Sequence, residues 1–79
     1  MDRATLDRLL IAAHEQDDSA ALVQLYTEAA DQAETAGDVQ ATCFYLTHAF
    51  VFALQSGDRA ADPLNLRLFN YGRELRQTF

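Results

Sequence analysis

The chain has 79 residues with twelve Asp and Glu, six Arg and no Lys, so its formal net charge is −6. A chain of this length makes one small domain with a thin stability margin, which a partner subunit would increase. The acidic balance disfavours the phosphate neutralisation that nucleic-acid binding requires, so no nucleic acid is expected as a ligand. Residues 1–38 carry most of the acids, which would either align copies head to tail or form a solvated acidic face.

Four helices are predicted, at residues 3–16, 19–36, 39–56 and 63–77, and no alternation typical of strands occurs. Glycine and aspartate separate successive helices, because glycine supplies a left-handed helix end and aspartate caps the next helix. Gly37 and Asp38 do this within two residues, and so short a connection places the second and third helices antiparallel and side by side. For the fourth helix, Asp62 is the predicted cap and Pro63 the first helical residue.

The third predicted helix differs from the others, because its segment FYLTHAFVFAL (residues 44–54) is apolar nearly all the way round. Helical spacing gathers most of its apolar residues on one side, while Phe44, Val51 and Phe52 point elsewhere, with His48 among them. The gathered residues are Val39, Thr42, Cys43, Leu46, Ala49, Phe50, Ala53 and Leu54. Either the other three helices surround this helix, or part of it meets a second chain.

The same segment is about half the ~20 residues that a bilayer span needs, so no membrane association is expected. The apolar stretch LLIAA near the start is too short for a secretion signal. The single cysteine, Cys43, lies in an apolar run and is expected to be a buried thiol. These features predict a cytoplasmic protein.

Residues 26–49 resemble the tetratricopeptide repeat, with its pattern W-x2-L-G-x2-Y in a first helix and A-x3-F-x2-A in a second. The places of the first pattern are taken by Tyr26, Ala29, Ala30 and Ala33, the turn by Gly37, and the places of the second by Thr42, Leu46 and Ala49. The fourth helix gives a second copy of the first pattern with Leu68, Tyr71, Gly72 and Leu75. Only Ala49 and Gly37 match outright, the usual proline is absent, and the step between copies is longer than the typical length of about 34 residues.

The resemblance implies stacked helical hairpins, a degenerate and lengthened form of the repeat, and a role in protein–protein interaction. Such arrays usually need about three units and polar end helices, and this chain has fewer. A constitutive assembly, expected to be a homodimer, would cover the surface left over. The sequence therefore predicts an all-α, tetratricopeptide-repeat-like interaction module. The alternatives are a self-associating structural subunit without a separate ligand, and a small-ligand or metal binder around His48.

No catalytic residue, cofactor or metal site is predicted, and no enzyme activity is expected. Ser19 and Ser56 fall at helix ends, where capping accounts for them, and Cys43 has no positive neighbour in sequence to favour a thiolate. The two histidines, His14 and His48, are not paired at metal-ligand spacing. His14 with Asp18 on one turn is the best metal candidate, and a solvated helix end explains the same residues.

Partner contacts are expected from the outward aromatic residues of the third helix and from the last part of the chain. These residues are Phe44, Tyr45, His48, Val51, Phe52, Phe69, Arg73 and Arg76. The two arginines either complement the dipole at the end of the fourth helix or hold a carboxylate of an acidic partner segment.

Overall fold

A computed structural model of the chain describes residues 1–77, which form four α-helices and, within that range, no β-strand. The helices are α1 (Arg3–Glu15), α2 (Ser19–Thr35), α3 (Val39–Ser56) and α4 (Ala61–Asn70). Successive helices pack against each other as antiparallel hairpins, so the predicted all-α fold of antiparallel helices is confirmed. The first three helices begin at the predicted residues and end within one residue of the predicted ends, whereas α4 differs.

The chain makes the same kind of turn after each helix, with one residue in a left-handed conformation. These residues are Asp17 (φ 52°), Gly37 (φ 77°), Gly57 (φ 66°) and Gly72 (φ 75°). The next amide then donates to a carbonyl of the last helical turn, as Asp18 N does to Ala13 O at 2.9 Å. The Asp18 side chain also caps α2 by accepting from Ala21 N at 3.1 Å. The helix ends and the start of α2 are therefore satisfied by local hydrogen bonds.

The first turn is expected to be the weakest of the four, because Asp17 has a side chain where the others have glycine. Asp17→Gly should raise the free energy of unfolding by about 0.5 kcal/mol, since the relief of about 1 kcal/mol of left-handed strain exceeds the added freedom of the unfolded chain. Gly37→Asp is the reverse change, and it should lower that free energy by a similar amount. A Cβ at Gly37 would meet no atom within 4 Å, so no clash complicates the comparison. Urea denaturation that moved both variants in the same direction would contradict this account.

The prediction for α4 is wrong at both ends. The helix begins at Ala61, so that Asp62 and Pro63 lie inside its first turn and Asp62 does not cap it. Proline is tolerated there because the first amides of a helix have no intrahelical partner. The helix ends at Asn70, because the left-handed conformation of Gly72 turns the chain back.

Residues 75–77 are held against α4 by Asn65, whose side chain is fully buried. Asn65 Nδ2 donates to the Leu75 carbonyl at 2.9 Å, and its Oδ1 accepts from the Gln77 amide at 2.9 Å. Arg76 Nη1 donates to the same Oδ1 at 2.6 Å, and the Arg76 guanidinium pairs with Asp62 at 2.6 Å. We call this arrangement the Asn65 clamp. It holds residues 75–77, which were predicted to be helical, in a non-helical conformation.

The core lies mainly between α2 and α3, whose contact is the most extensive of the fold. Ala30 on α2 and Ala49 on α3 have no exposed surface, and their small side chains allow the two helices to approach closely. The buried cluster consists of Val23, Ala30, Leu46, Ala49, Phe50, Ala53, Ala61, Leu64 and Leu68. The side of α3 that was predicted to be apolar is therefore the buried side, except for Val39 and Leu54, which are exposed.

The arrangement in which all three other helices surround α3 is wrong. The helices that pack against α3 are α2 and α4, while α1 packs against α2 because their short connection keeps them together. Side chains of α1 still reach α3, as Arg3 Nη2 does in donating to the Tyr45 hydroxyl at 2.7 Å. Phe44, Val51 and Leu54 remain 57%, 42% and 44% exposed. The packing of the helices around α3 therefore gives no support for self-association. A partner would have to cover the exposed side of α3.

Polar side chains connect α2 with α4. Arg67 pairs with Asp31 at 2.9 Å and with Glu34 at 3.5 Å, and the Tyr71 hydroxyl donates to the Glu34 carboxylate. That hydrogen bond lowers the pKa of Glu34 and raises the pKa of Tyr71. Because the pKa of Glu34 is lowered on folding, the contact stabilises the fold above the ordinary glutamate pKa. This contribution is lost as the pH falls through the lowered value.

Candidate interaction surface

The solvent-facing side of α3 carries an uncharged, largely apolar strip. Phe44, Thr47, His48, Val51 and Leu54 share this side at helical spacing. No Asp, Glu, Lys or Arg occurs anywhere in α3, although the whole chain is strongly acidic. We call these five residues the α3 strip. A surface that is depleted of charge and contains an exposed aromatic ring has the composition of the core of a protein interface.

A groove of about 460 Å³ lies between the α3 strip and the turn that follows α4. Its lining consists of Gln40, Cys43, Phe44, Thr47, His48 and Arg73. Arg73 reaches this position because Gly72 reverses the chain and Arg73 N donates to Leu68 O at 2.9 Å. We call it the Arg73 groove. It joins residues that are about thirty positions apart in the sequence.

The polar atoms of the groove differ in whether they already have partners. Thr47 Oγ1 donates to Cys43 O at 2.8 Å, so its hydrogen is used inside the helix. His48 Nδ1 donates to Phe44 O at 2.9 Å, because a carbonyl can only accept, and this leaves His48 Nε2 facing away from that bond. Among residues 1–77 the side chains of Gln40 and Arg73 form no hydrogen bond or ion pair. The groove therefore offers unused donors beside an apolar wall.

Aromatic rings also form a cluster where α1, α2 and α3 meet. Its members are His14, Tyr26, Phe44, Tyr45, His48 and Phe52. The Tyr26 ring stacks on Phe52 with centroids 6.0 Å apart and lies 5.1 Å from His48, which in turn lies 4.4 Å from Phe44. The cluster therefore continues from the interior side of α3 to the α3 strip.

The centre of the cluster, Tyr26, is satisfied within the fold. Its hydroxyl lies 2.8 Å from His14 Nε2, and burial raises the pKa of that hydroxyl. The Arg3 guanidinium lies 5.7 Å above the Tyr45 ring. The sequence did not predict the contact between His14 and Tyr26, because Tyr26 fits the apolar stripe of its own helix and no helical or strand spacing relates it to His14. The cluster attaches α1 to α3 and is mainly structural.

The structure separates the eight predicted contact residues into several places. Phe44, His48 and Arg73 line the Arg73 groove, and Val51 lies on the α3 strip. Tyr45 and Phe52 belong to the aromatic cluster and are only partly exposed. Phe69 is exposed near the end of α4, whereas the Arg76 guanidinium is held in the Asn65 clamp beside the start of that helix.

The metal candidate around His14 gains no support from the geometry. His14 Nε2 is at hydrogen-bond distance from Tyr26, and the Asp18 carboxylate caps α2. In the described part of the chain, no group of three or more metal-ligating side chains comes together. His48 belongs to no such group either, and its ring contacts are with Tyr26 and Phe44.

Comparisons with protein-family models, curated proteins and solved structures found no match for this chain. Within residues 1–77, no helix combines the length and hydropathy that crossing a bilayer requires. The class of this protein is therefore described from its fold and its surface alone. This is a small all-α protein of antiparallel hairpins with an uncharged, exposed face on its most apolar helix.

Proposed function

We propose that this chain is a small protein–protein interaction module that binds a partner through the α3 strip and the Arg73 groove. The observation that carries the proposal is the exposure of Phe44, Val51 and Leu54 along one side of a helix without charged residues. Leaving such residues in water forgoes burial free energy of about 1.5–3 kcal/mol for each large side chain. A partner that covers the strip recovers part of that free energy.

The module is proposed to be related in architecture to the tetratricopeptide repeat. Its support is that side chains connect α1 with α3 and α2 with α4, the helices that neighbouring repeats would bring into contact. Arg67 of α4 and Tyr71 directly after that helix reach Asp31 and Glu34 of α2, and Arg3 of α1 reaches Tyr45 of α3. We propose a cytoplasmic, non-enzymatic role, with the buried free thiol of Cys43 consistent with a reducing compartment.

The proposal is tested by Phe44→Ser with Ile11→Ser as its matched control. The two side chains are 57% and 58% exposed, one on the α3 strip and the other on α1. Both variants should therefore fold with nearly unchanged stability. Stoichiometric partners captured from a lysate of the source cells should be lost with Phe44→Ser and retained with Ile11→Ser. Equal capture by the two variants would overturn the assignment of the docking surface.

Sedimentation equilibrium of the purified protein separates a foreign partner from a second copy. A monomer at micromolar concentration supports a module that binds another protein. A dimer that dissociates on Phe44→Ser, but not on Ile11→Ser, would instead make the α3 strip a self-association surface. That result would replace the proposed module by a homodimeric structural subunit.

A further inference from the structure

We infer that the segment bound on the α3 strip is an amphipathic helix whose carboxylate is held by Arg73 at the groove. The inference rests on the proposed function, because it names the chemistry of the partner for the same surface. It depends on three observations: the charges around Arg73, the unused donors beside it, and the way in which the fold holds residue 73 in place.

Within residues 1–77 the Arg73 guanidinium forms no ion pair, although the chain has twice as many acids as bases. Three other arginines form ion pairs, namely Arg3 with Asp7, Arg67 with Asp31 and Glu34, and Arg76 with Asp62. In the part of the chain that the structure describes, no Asp or Glu lines the Arg73 groove. The adjacent carboxylate of Glu74 accepts from the Leu75 amide at 3.2 Å. A carboxylate from outside is therefore the group that this groove lacks.

Arg59 differs from Arg73 in the charges that surround it. Its side chain also forms no hydrogen bond or ion pair within residues 1–77, and it lines a groove of about 320 Å³ beside Leu54. That groove contains Asp58 and Asp62, so an incoming carboxylate would meet two like charges there. Charge complementarity thus selects the Arg73 end of the surface for an acidic group, and Arg59 provides a matched control.

The donors beside Arg73 suit a carboxylate. The planar guanidinium can donate two parallel hydrogen bonds to it, and charge-assisted bonds of this kind are stronger than neutral ones. The Gln40 amide lines the same groove and has free N–H groups. The Phe44 ring forms part of the wall and reduces solvent access, which strengthens an ion pair relative to one in open water.

The fold also holds the backbone of residue 73 between two anchored points. On one side, Arg73 N donates to Leu68 O at 2.9 Å. On the other side, the Asn65 clamp holds the Leu75 carbonyl at 2.9 Å. The guanidinium is thus carried by a fixed turn, so less ordering is required when a ligand binds.

The rest of the ligand is defined by the α3 strip. Phe44, Val51 and Leu54 run along about 15 Å of the helix axis without an intervening charge. A second helix with apolar residues at i, i+3 or i+4, and i+7 matches such a face. Its acidic residue would lie at the end of the ligand that reaches Gln40 and Arg73. A second copy of this chain fits less well, because two molecules of charge −6 repel each other.

Selection of a random-sequence peptide-display library on the immobilised protein tests the inference. Enriched peptides should combine apolar residues at helical spacing with an Asp or Glu at a constant position relative to them. A strongly enriched peptide, labelled with a fluorophore, then serves as the probe in anisotropy titrations. Its affinity should fall about tenfold with Arg73→Gln and stay unchanged with Arg59→Gln.

Replacing the acid of the same peptide by its amide should cause a loss similar to that of Arg73→Gln, and combining both changes should add little. Peptides that bind through Phe44 but show no acid and no response to Arg73→Gln would overturn the carboxylate inference and leave the proposed function standing. An absence of any enriched peptide sensitive to Phe44→Ser would overturn both. A probe that competes with self-association of the protein would favour the second copy instead.

Discussion

Leu46→Ala should lower the free energy of unfolding by about 3 kcal/mol, a large share of the roughly 5 kcal/mol expected for a domain of this size. Leu46 has no exposed surface and belongs to the buried cluster on α3. Removing its branched end leaves a cavity. Neighbouring alanines such as Ala30 and Ala49 cannot easily fill it, because their side chains have no atoms that could rotate into the space. Urea denaturation monitored by circular dichroism measures the effect, and the midpoint should shift without loss of helix in the folded baseline.

Leu54→Ala provides the matched control, because it changes the same residue type on the same helix. Leu54 is 44% exposed and lies on the α3 strip, so the expected loss in the monomer is only about 0.5 kcal/mol. The difference between the two variants reports which side of α3 faces the core. A loss at Leu54 as large as that at Leu46, measured on a monomer, would contradict the orientation of α3.

Asn65→Leu should lower the free energy of unfolding by about 2 kcal/mol, because it removes the three hydrogen bonds that the Asn65 side chain forms in the clamp. The Leu75 carbonyl, the Gln77 amide and the Arg76 guanidinium would each lose a partner. Leucine has a similar size, so the effect comes from hydrogen bonding rather than from a cavity. Residues 75–77 should detach from α4, since their backbone groups find new partners in water.

Amide hydrogen exchange of Gln77 reads this detachment directly, and its protection should disappear in Asn65→Leu. Asn70→Leu is the control, because Asn70 is an exposed residue at the end of the same helix. Its stability should change by no more than about 0.5 kcal/mol, with Gln77 still protected. Unchanged protection of Gln77 in Asn65→Leu would show that the clamp does not hold the segment.

The helices and their turns could be predicted because their signals are local. A left-handed glycine and a capping aspartate satisfy backbone groups within about five residues. The roles of Gly37 and Asp38 could therefore be predicted from the residues next to them. Asp17 in the left-handed position shows that the turn forms even where glycine is missing. Phe44 and Val51 were correctly placed away from the buried side of α3, because helical geometry alone sets that angle.

The length of α4 could not be predicted in this way. Asp62 and Pro63 form a good helix start by local rules, yet the helix begins at Ala61, where the Asp58 carboxylate accepts from Ala60 N at 2.8 Å. At the other end, the chain leaves the helix after Asn70, and residues 75–77 pair with Asn65. That pairing joins residues ten and more positions apart, which no helical or strand period relates.

The candidate site shows the same division. Its residues on α3 were predicted from the apolar run. Arg73 lies beside them because the chain reverses at Gly72 and α4 packs on α3. Arg76, which was given the same expected role as Arg73, is held by Asp62 and Asn65 instead. Two arginines three positions apart therefore have different surroundings, and only the folded chain distinguishes them.

By itself the amino-acid sequence determined four helical segments, the chemistry of their turns and the two sides of α3, since each of these depends on neighbours within one or two helical turns. The tertiary structure alone decided that α1 packs on α2 and leaves one side of α3 exposed, that α4 is short, and that Arg73, which forms no ion pair within residues 1–77, lies beside the Phe44 end of the exposed strip. These outcomes depend on hydrogen bonds, ion pairs and apolar contacts between residues that are far apart in the sequence. Such contacts are defined only when all the helices have packed together.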